Sequence, residues 1–256
     1  MSLTKLSKTV YFLIILLVVT SCTNVGLPKE GRNGNASPTV SYNIVRESQI
    51  VYRSINELFL ESDLIVTGKV VAEKEIINTA RDPDDNKKEH PTMFSIGQIY
   101  EVEIGSILQG KAPKTIYVVQ YQGTFNKNEI VPDKTYYESI KHSFNIIPMT
   151  VGSSYLMYLR SSPYSYGDYP ADILYGGIGH PWLFDTTNLD CVSVVDSNPS
   201  IKDFFPTTSY DVIFRSIQMA KDGKNPSTDQ GYPEPLEKSS FCEEGKLKRA
   251  YPEPTP

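Results

Sequence analysis

The clearest alternation in the chain falls at residues 100–104, where Tyr100, Val102 and Ile104 are interleaved with Glu101 and Glu103. A period of two, apolar on one side and charged on the other, predicts a strand with one face in water. Residues 64–72 (LIVTGKVVA) form a denser β-branched run, and Gly68 in its middle predicts a bulge or sharp bend in a second strand. Between these two strands lies a charged, proline-bearing loop at residues 78–92. Residues 110–114 (GKAPK) turn the chain into a further strand at 115–121 (TIYVVQY). Another follows Gly152 at 154–160 (SYLMYLR), with Tyr155, Met157 and Leu159 on one face. Short strands are expected at 172–175, 181–185 and 191–195, whereas residues 122–150 carry no clear period.

Helical spacing occurs on either side of these strands. Ser54, with Glu57 three residues later, makes a capping box, and Ile55, Leu58 and Phe59 share a face of the short helix it opens. Residues 209–222 place Val212, Ile213, Ile217 and Ala220 at helical spacing, and Gly223 stands where a left-handed C-terminal cap belongs. The pattern predicts a mainly β (α+β) domain over residues 44–222. A domain of that length buries roughly 70% of the surface its unfolded chain exposes, so it needs no metal or disulfide to fold.

The ends of the chain read differently. Val10 to Val19 is an unbroken apolar run behind Lys5 and Lys8, with small and polar residues after it, the layout of a secretory signal. Ten residues in a helix span roughly 15 Å, about half of a hydrocarbon core, so a permanent transmembrane helix is the weaker reading. Residues 22–43 are rich in Gly, Asn, Ser and Pro and are expected to form a flexible tether of about 25 Å. Residues 223–256, with YPEP twice, have the composition of a disordered Pro-rich tail.

Val19, Thr20 and Ser21 before Cys22 resemble the lipobox of bacterial lipoproteins, with valine in place of the commoner leucine. The resemblance implies cleavage between Ser21 and Cys22, removal of residues 1–21 and acylation of the Cys22 sulfur. Two or more acyl chains, at about 0.8 kcal/mol per buried methylene, hold a protein firmly to a bilayer. The expected location is therefore the extracytoplasmic face of a cell membrane, and the membrane is a partner through the lipid anchor.

The phrases SDLIVTGKVV, QIYEVEIGSILQG, TIYVVQYQG and VGSSYLMYLR resemble a widespread class of uncharacterised secreted bacterial proteins. More distantly, they are similar to the netrin-like module of metalloproteinase inhibitors, in which "GKV", "VLKG" and "G..YLvyl" phrases sit on a five-stranded OB-type barrel. The similarity covers residues 54–160 and implies that barrel, with the two helices at its ends. It does not imply inhibition. The inhibitors chelate zinc with a free N-terminal cysteine, whereas here that cysteine would be acylated and lies about 40 residues before the barrel.

Charge and chemistry narrow the function. The chain has 25 basic and 30 acidic residues, and loss of residues 1–21 removes two lysines, leaving a net charge of −7. An acidic domain is a poor partner for nucleic acid. Beyond Cys22 only Cys191 and Cys242 remain, either as a disulfide or as two free thiols. His90, His142 and His180 fall in expected loops, each without a second histidine at ligand spacing, and read as solvated loop residues. Asp82, Asp84 and Asn86 suggest a calcium loop, but Lys87 replaces its turn glycine and Met93 its bidentate glutamate. Gly176, Gly177 and Gly179 (GGIGH) lack the context of a phosphate loop and read as a turn between strands. No catalytic residue, metal or cofactor is expected.

Tyrosine is the conspicuous residue that remains. Tyr155 and Tyr158 read as strand and core residues, while Tyr164, Tyr166 and Tyr169, in a loop, are candidates for a binding surface as much as for packing. The sequence thus points to a lipid-anchored, non-enzymatic module that binds an envelope protein or a small ligand. The alternative is an envelope hydrolase with an unrecognised active site.

Overall fold

The computed structural model describes residues 50–126 and 146–224, the backbone of Ile44–Val45, and Leu236, Lys238 and Cys242. The signal segment, Cys22, the tether before Ile44 and His142 lie outside the described residues. Within them are eight strands: β1 (Ile44–Val45), β2 (Leu64–Asn78), β3 (Met93–Gln109), β4 (Thr115–Asn126), β5 (Ser154–Ser161), β6 (Leu174–Gly177), β7 (Leu183–Asp185) and β8 (Ser193–Val194). Three helices accompany them: α1 (Ile55–Glu61), α2 (Pro199–Phe204) and α3 (Tyr210–Lys221).

The fold is mainly β, organised on a ring of five strands. β2, β3 and β4 form an antiparallel meander, and β5 pairs antiparallel with β2. β6 completes the circuit, running parallel to β4 (Tyr117 opposite Leu174) and antiparallel to β5 (Leu159 opposite Gly177). β7 and β8 extend the sheet beyond β5, and β1 extends it beyond β4. β2 and β3 are longer than the sequence pattern suggests, and they bend through four register shifts, one of them between Thr67 and Gly68. A Cβ at Gly68 would lie 2.6 Å from Val102 Cγ1, so the bend depends on a bare backbone there.

Side-chain alternation divides the core in two across β2 and β5. Leu64, Val66, Tyr155, Met157 and Leu159 join Tyr100, Val102, Ile116 and Val118 in one cluster. Ile65, Leu156 and Tyr158 face the other way, against Leu58 of α1, Ile201 of α2, and Ile213 and Ile217 of α3. Both faces of β5 are therefore buried. A smaller third cluster gathers Ile99, Leu174, Tyr166 and Tyr169.

Local chemistry sets the helix ends. Ser54 Oγ accepts the Glu57 N–H at 3.2 Å, while the Glu57 carboxylate accepts the N–H of Arg53, one residue before the cap. At the other end of α1, the Gln109 amide donates to the carbonyls of Phe59 and Ser62, so β3 satisfies the last turn. α3 ends as its glycine predicts: Gly223 has φ +69°, its N–H bonds Ala220, and the Lys224 N–H reaches back to Met219. α2 has no counterpart among the expected elements. It is six residues long, opened by Asn198, whose side chain accepts the Ser200 N–H, and by Pro199 in the first turn.

Two described residues of the tail are packed rather than free of the domain. Leu236 contacts the helix-covered cluster, and Cys242 forms a disulfide with Cys191, their Cα atoms 5.5 Å apart.

Candidate functional site

The β7–β8 hairpin carries the most specific polar geometry in the described structure. Phe184 lies opposite Val194, and the Val195 N–H donates to the Leu183 carbonyl, so the register carries Trp182 and Asp196 to the same end of the hairpin. Just before Trp182, His180 is fixed through its backbone. Its N–H donates to Ile50 and its carbonyl accepts the Tyr52 N–H at 2.7 Å. Gly179 makes this approach possible, because with φ +155° a Cβ there would stand 2.8 Å from the Ile50 carbonyl. The peptide between His180 and Pro181 is cis.

With the backbone so held, the imidazole Nδ1 of His180 lies 2.5 Å from Oδ2 of Asp196. The Asp196 side chain is 5% exposed and its Oδ1 accepts the Asn198 N–H at 2.8 Å, so both carboxylate oxygens are engaged. The histidine side chain is 24% exposed. Orientation of an imidazole by a buried carboxylate fixes its tautomer and leaves the second nitrogen for a ligand.

His180 and Asp196 line a groove of about 440 Å³ beside β4, β6 and the end of β5. Val119, Ile147, Ile178 and Trp182 give it apolar walls. Trp182 lies flat over Gly177, where a Cβ would come within 2.5 Å of the indole ring. At neighbouring Gly176 a Cβ would meet only Val119, Cγ1 at 3.6 Å and the carbonyl at 3.9 Å, so the groove gains room from the missing side chain. Arg160 also lines it, with Nη2 bonded to the Glu61 carboxylate at 2.8 Å. Tyr166 reaches the lining too, and burial pushes its phenol above the ordinary value although the nearby Arg81 acts the other way.

The candidate tyrosines behave as packing residues. Tyr166 and Tyr169 are each 7% exposed in the third core cluster, with Tyr164 half-buried against it. Tyr169 meets Tyr117 edge to face at 4.7 Å and donates its hydroxyl to Glu75, while Arg81 stacks 4.1 Å above Tyr166. Of the two readings of Tyr164, Tyr166 and Tyr169, these contacts describe packing: the rings of Tyr166 and Tyr169 are buried with Ile99 of β3 and Tyr117 and Val119 of β4, while Tyr166 also reaches the groove lining.

Other expectations are redistributed as well. His180 is no solvated loop residue, whereas His90 is a local structural one, its Nδ1 accepting the backbone N–H groups of Thr92 and Met93. GGIGH begins inside β6 rather than forming only a turn. Asp82 and Asp85 accept the backbone N–H groups of Asp84 and Lys87, and no group of three or more metal-ligating side chains is found among the described residues. Asp196 escaped the sequence reading altogether. Its signal was the Asp-Ser-Asn-Pro turn after an apolar strand, which marks a turn but not the histidine it faces.

No protein-family model matches this chain, and no curated protein matches it.

Proposed function

We propose that the protein is a membrane-anchored extracytoplasmic lipoprotein whose β domain is a non-enzymatic binding module, holding a small ligand in the groove beside Trp182 and His180. The observation that carries the binding reading is the groove itself. Its volume, its apolar walls and an oriented polar pair are the usual make-up of a small-molecule site.

The anchor rests on the signal layout and on Cys22 in its lipobox-like setting. A Cys191–Cys242 disulfide agrees with placement outside the cytoplasm, since such bonds persist in oxidising compartments. The circuit β2–β3–β4–β6–β5, closed by one parallel pair, supports the reading of the ring as an OB-type barrel.

A hydrolase is the second reading, favoured by one observation: a histidine oriented by a buried carboxylate is the arrangement of a general base. No hydroxyl or thiol among the described residues is hydrogen-bonded to His180.

Labelling cells with a fatty-acid analogue tests the anchor. The wild-type chain incorporates label and is processed, whereas Cys22→Ala remains an unlabelled precursor. Undiminished labelling of that variant overturns the lipoprotein reading.

A further inference from the structure

We infer that the groove selects an uncharged molecule with an apolar body and a hydroxyl or amino donor, which hydrogen-bonds to Nε2 of His180. This inference rests on the binding reading above and gives it a ligand class.

The polar chemistry of the groove is narrower than its lining. A carboxylate can only accept hydrogen bonds, so at 2.5 Å from Asp196 the Nδ1 atom of His180 carries the ring hydrogen. In the neutral imidazole Nε2 then holds a lone pair, and no described group donates to it. A molecule entering the groove beside the neutral imidazole therefore meets an acceptor. A ligand that presents a donor satisfies it, and one that presents only carbon leaves it unpaired.

Charge excludes the opposite class. The cationic residue in the lining, Arg160, already has a partner in Glu61, while the Asp196 carboxylate adds negative charge behind the histidine. A carboxylate or phosphate in the groove would find no unpaired cation and would lie near a like charge. Shape sets the rest. The walls of Val119, Ile147, Ile178 and Trp182 suit a compact apolar body, and Trp182 is a fixed wall because Gly177 holds it flat.

Trp182 is the single tryptophan of the chain, so its emission reports on the groove directly. The mature chain, made without its signal segment and carrying Cys22→Ser, is titrated with 4-tert-butylphenol, 4-tert-butylbenzoate and tert-butylbenzene. The phenol is expected to bind about tenfold tighter than either other probe, the advantage of one hydrogen bond to an oriented acceptor. His180→Asn keeps an amide N–H for Asp196 but has no counterpart of Nε2, so it should bring the phenol to the level of the hydrocarbon. Gly176→Leu, filling the groove, should weaken all three. Benzoate binding as tightly as phenol, or an unchanged phenol-to-hydrocarbon ratio in His180→Asn, overturns the ligand class and leaves the groove as a binding site. No response to any probe in the unsubstituted groove overturns both.

Discussion

Tyr158 is the side chain whose chemistry is least matched to its place. It is fully buried between β5 and the helices, edge to face with Phe184 at 5.7 Å, and no described group bonds its hydroxyl. Burial among apolar neighbours holds its phenol well above the ordinary value. An unsatisfied buried hydroxyl costs about 1 to 3 kcal/mol, so Tyr158→Phe is expected to stabilise the domain by about 1 kcal/mol, read as a higher urea midpoint. A lower midpoint would mean that the hydroxyl has a partner. Gly177 makes the opposite case. Gly177→Ala drives a methyl into the Trp182 ring, and such overpacking typically costs about 1 to 3 kcal/mol. Both a lower midpoint and a shifted tryptophan emission are expected, and an unchanged emission would contradict the stacking. Neither residue announces its role in the sequence. A tyrosine in an apolar strand and a glycine beside another glycine look ordinary until the partner across the fold is known.

At the scale of elements, the strands of the meander and a short strand at 172–175 were legible, but the parallel pairing by which β6 closes the ring was not. β2, β3 and β4 are consecutive, their apolar positions alternate, and Gly110 marks one turn, so local pattern suffices. β6 is four residues long and pairs in parallel with β4 more than 50 residues earlier, a contact no local period encodes. The tyrosine loop before it stayed open between binding and packing for the same reason: proline and glycine mark it as a loop, while the β3–β4 surface that buries its rings is remote in sequence. Removing two of its buried rings, as in Tyr166→Ser with Tyr169→Ser, is expected to cost several kcal/mol, on the scale of about 3 to 5 for one large core aromatic. A thermal midpoint within a few degrees of wild type would restore these rings to the surface. The loop also carries a pH signature. The Tyr169 hydroxyl donates to Glu75 at 2.6 Å and holds that carboxyl below its ordinary value. Its contribution is therefore present above the ordinary carboxylate value and is lost as pH falls through the lower folded value. The stability difference between wild type and Tyr169→Phe should shrink as pH falls from the ordinary carboxylate range through the lower folded value. A difference that grows on acidification would contradict the hydrogen bond.

For the whole molecule, the disulfide ties the tail to the β domain across a sequence separation of 51. In the chain-entropy picture a loop of that size contributes about 4 kcal/mol, by restricting the unfolded chain. Cys242→Ala, or reduction of the wild-type protein, should lower the urea midpoint alike, and insensitivity to reductant would mean no bridge. The two cysteines were visible in the sequence, but the Pro-rich composition around Cys242 argued against an ordered partner, and only the folded chain joins them. The candidate site was legible only in fragments. Glycine, histidine and proline at 179–181 mark an unusual backbone, yet the apolar walls come from β4, Ile147 and the segment between β6 and β7, brought together by the ring. Native mass spectrometry of the protein purified from the cells that make it tests that assembled groove most directly. Wild type should carry a small bound molecule beyond the mass of the chain itself, and Gly176→Leu should lack it; ligand-free spectra from both proteins would contradict a binding module.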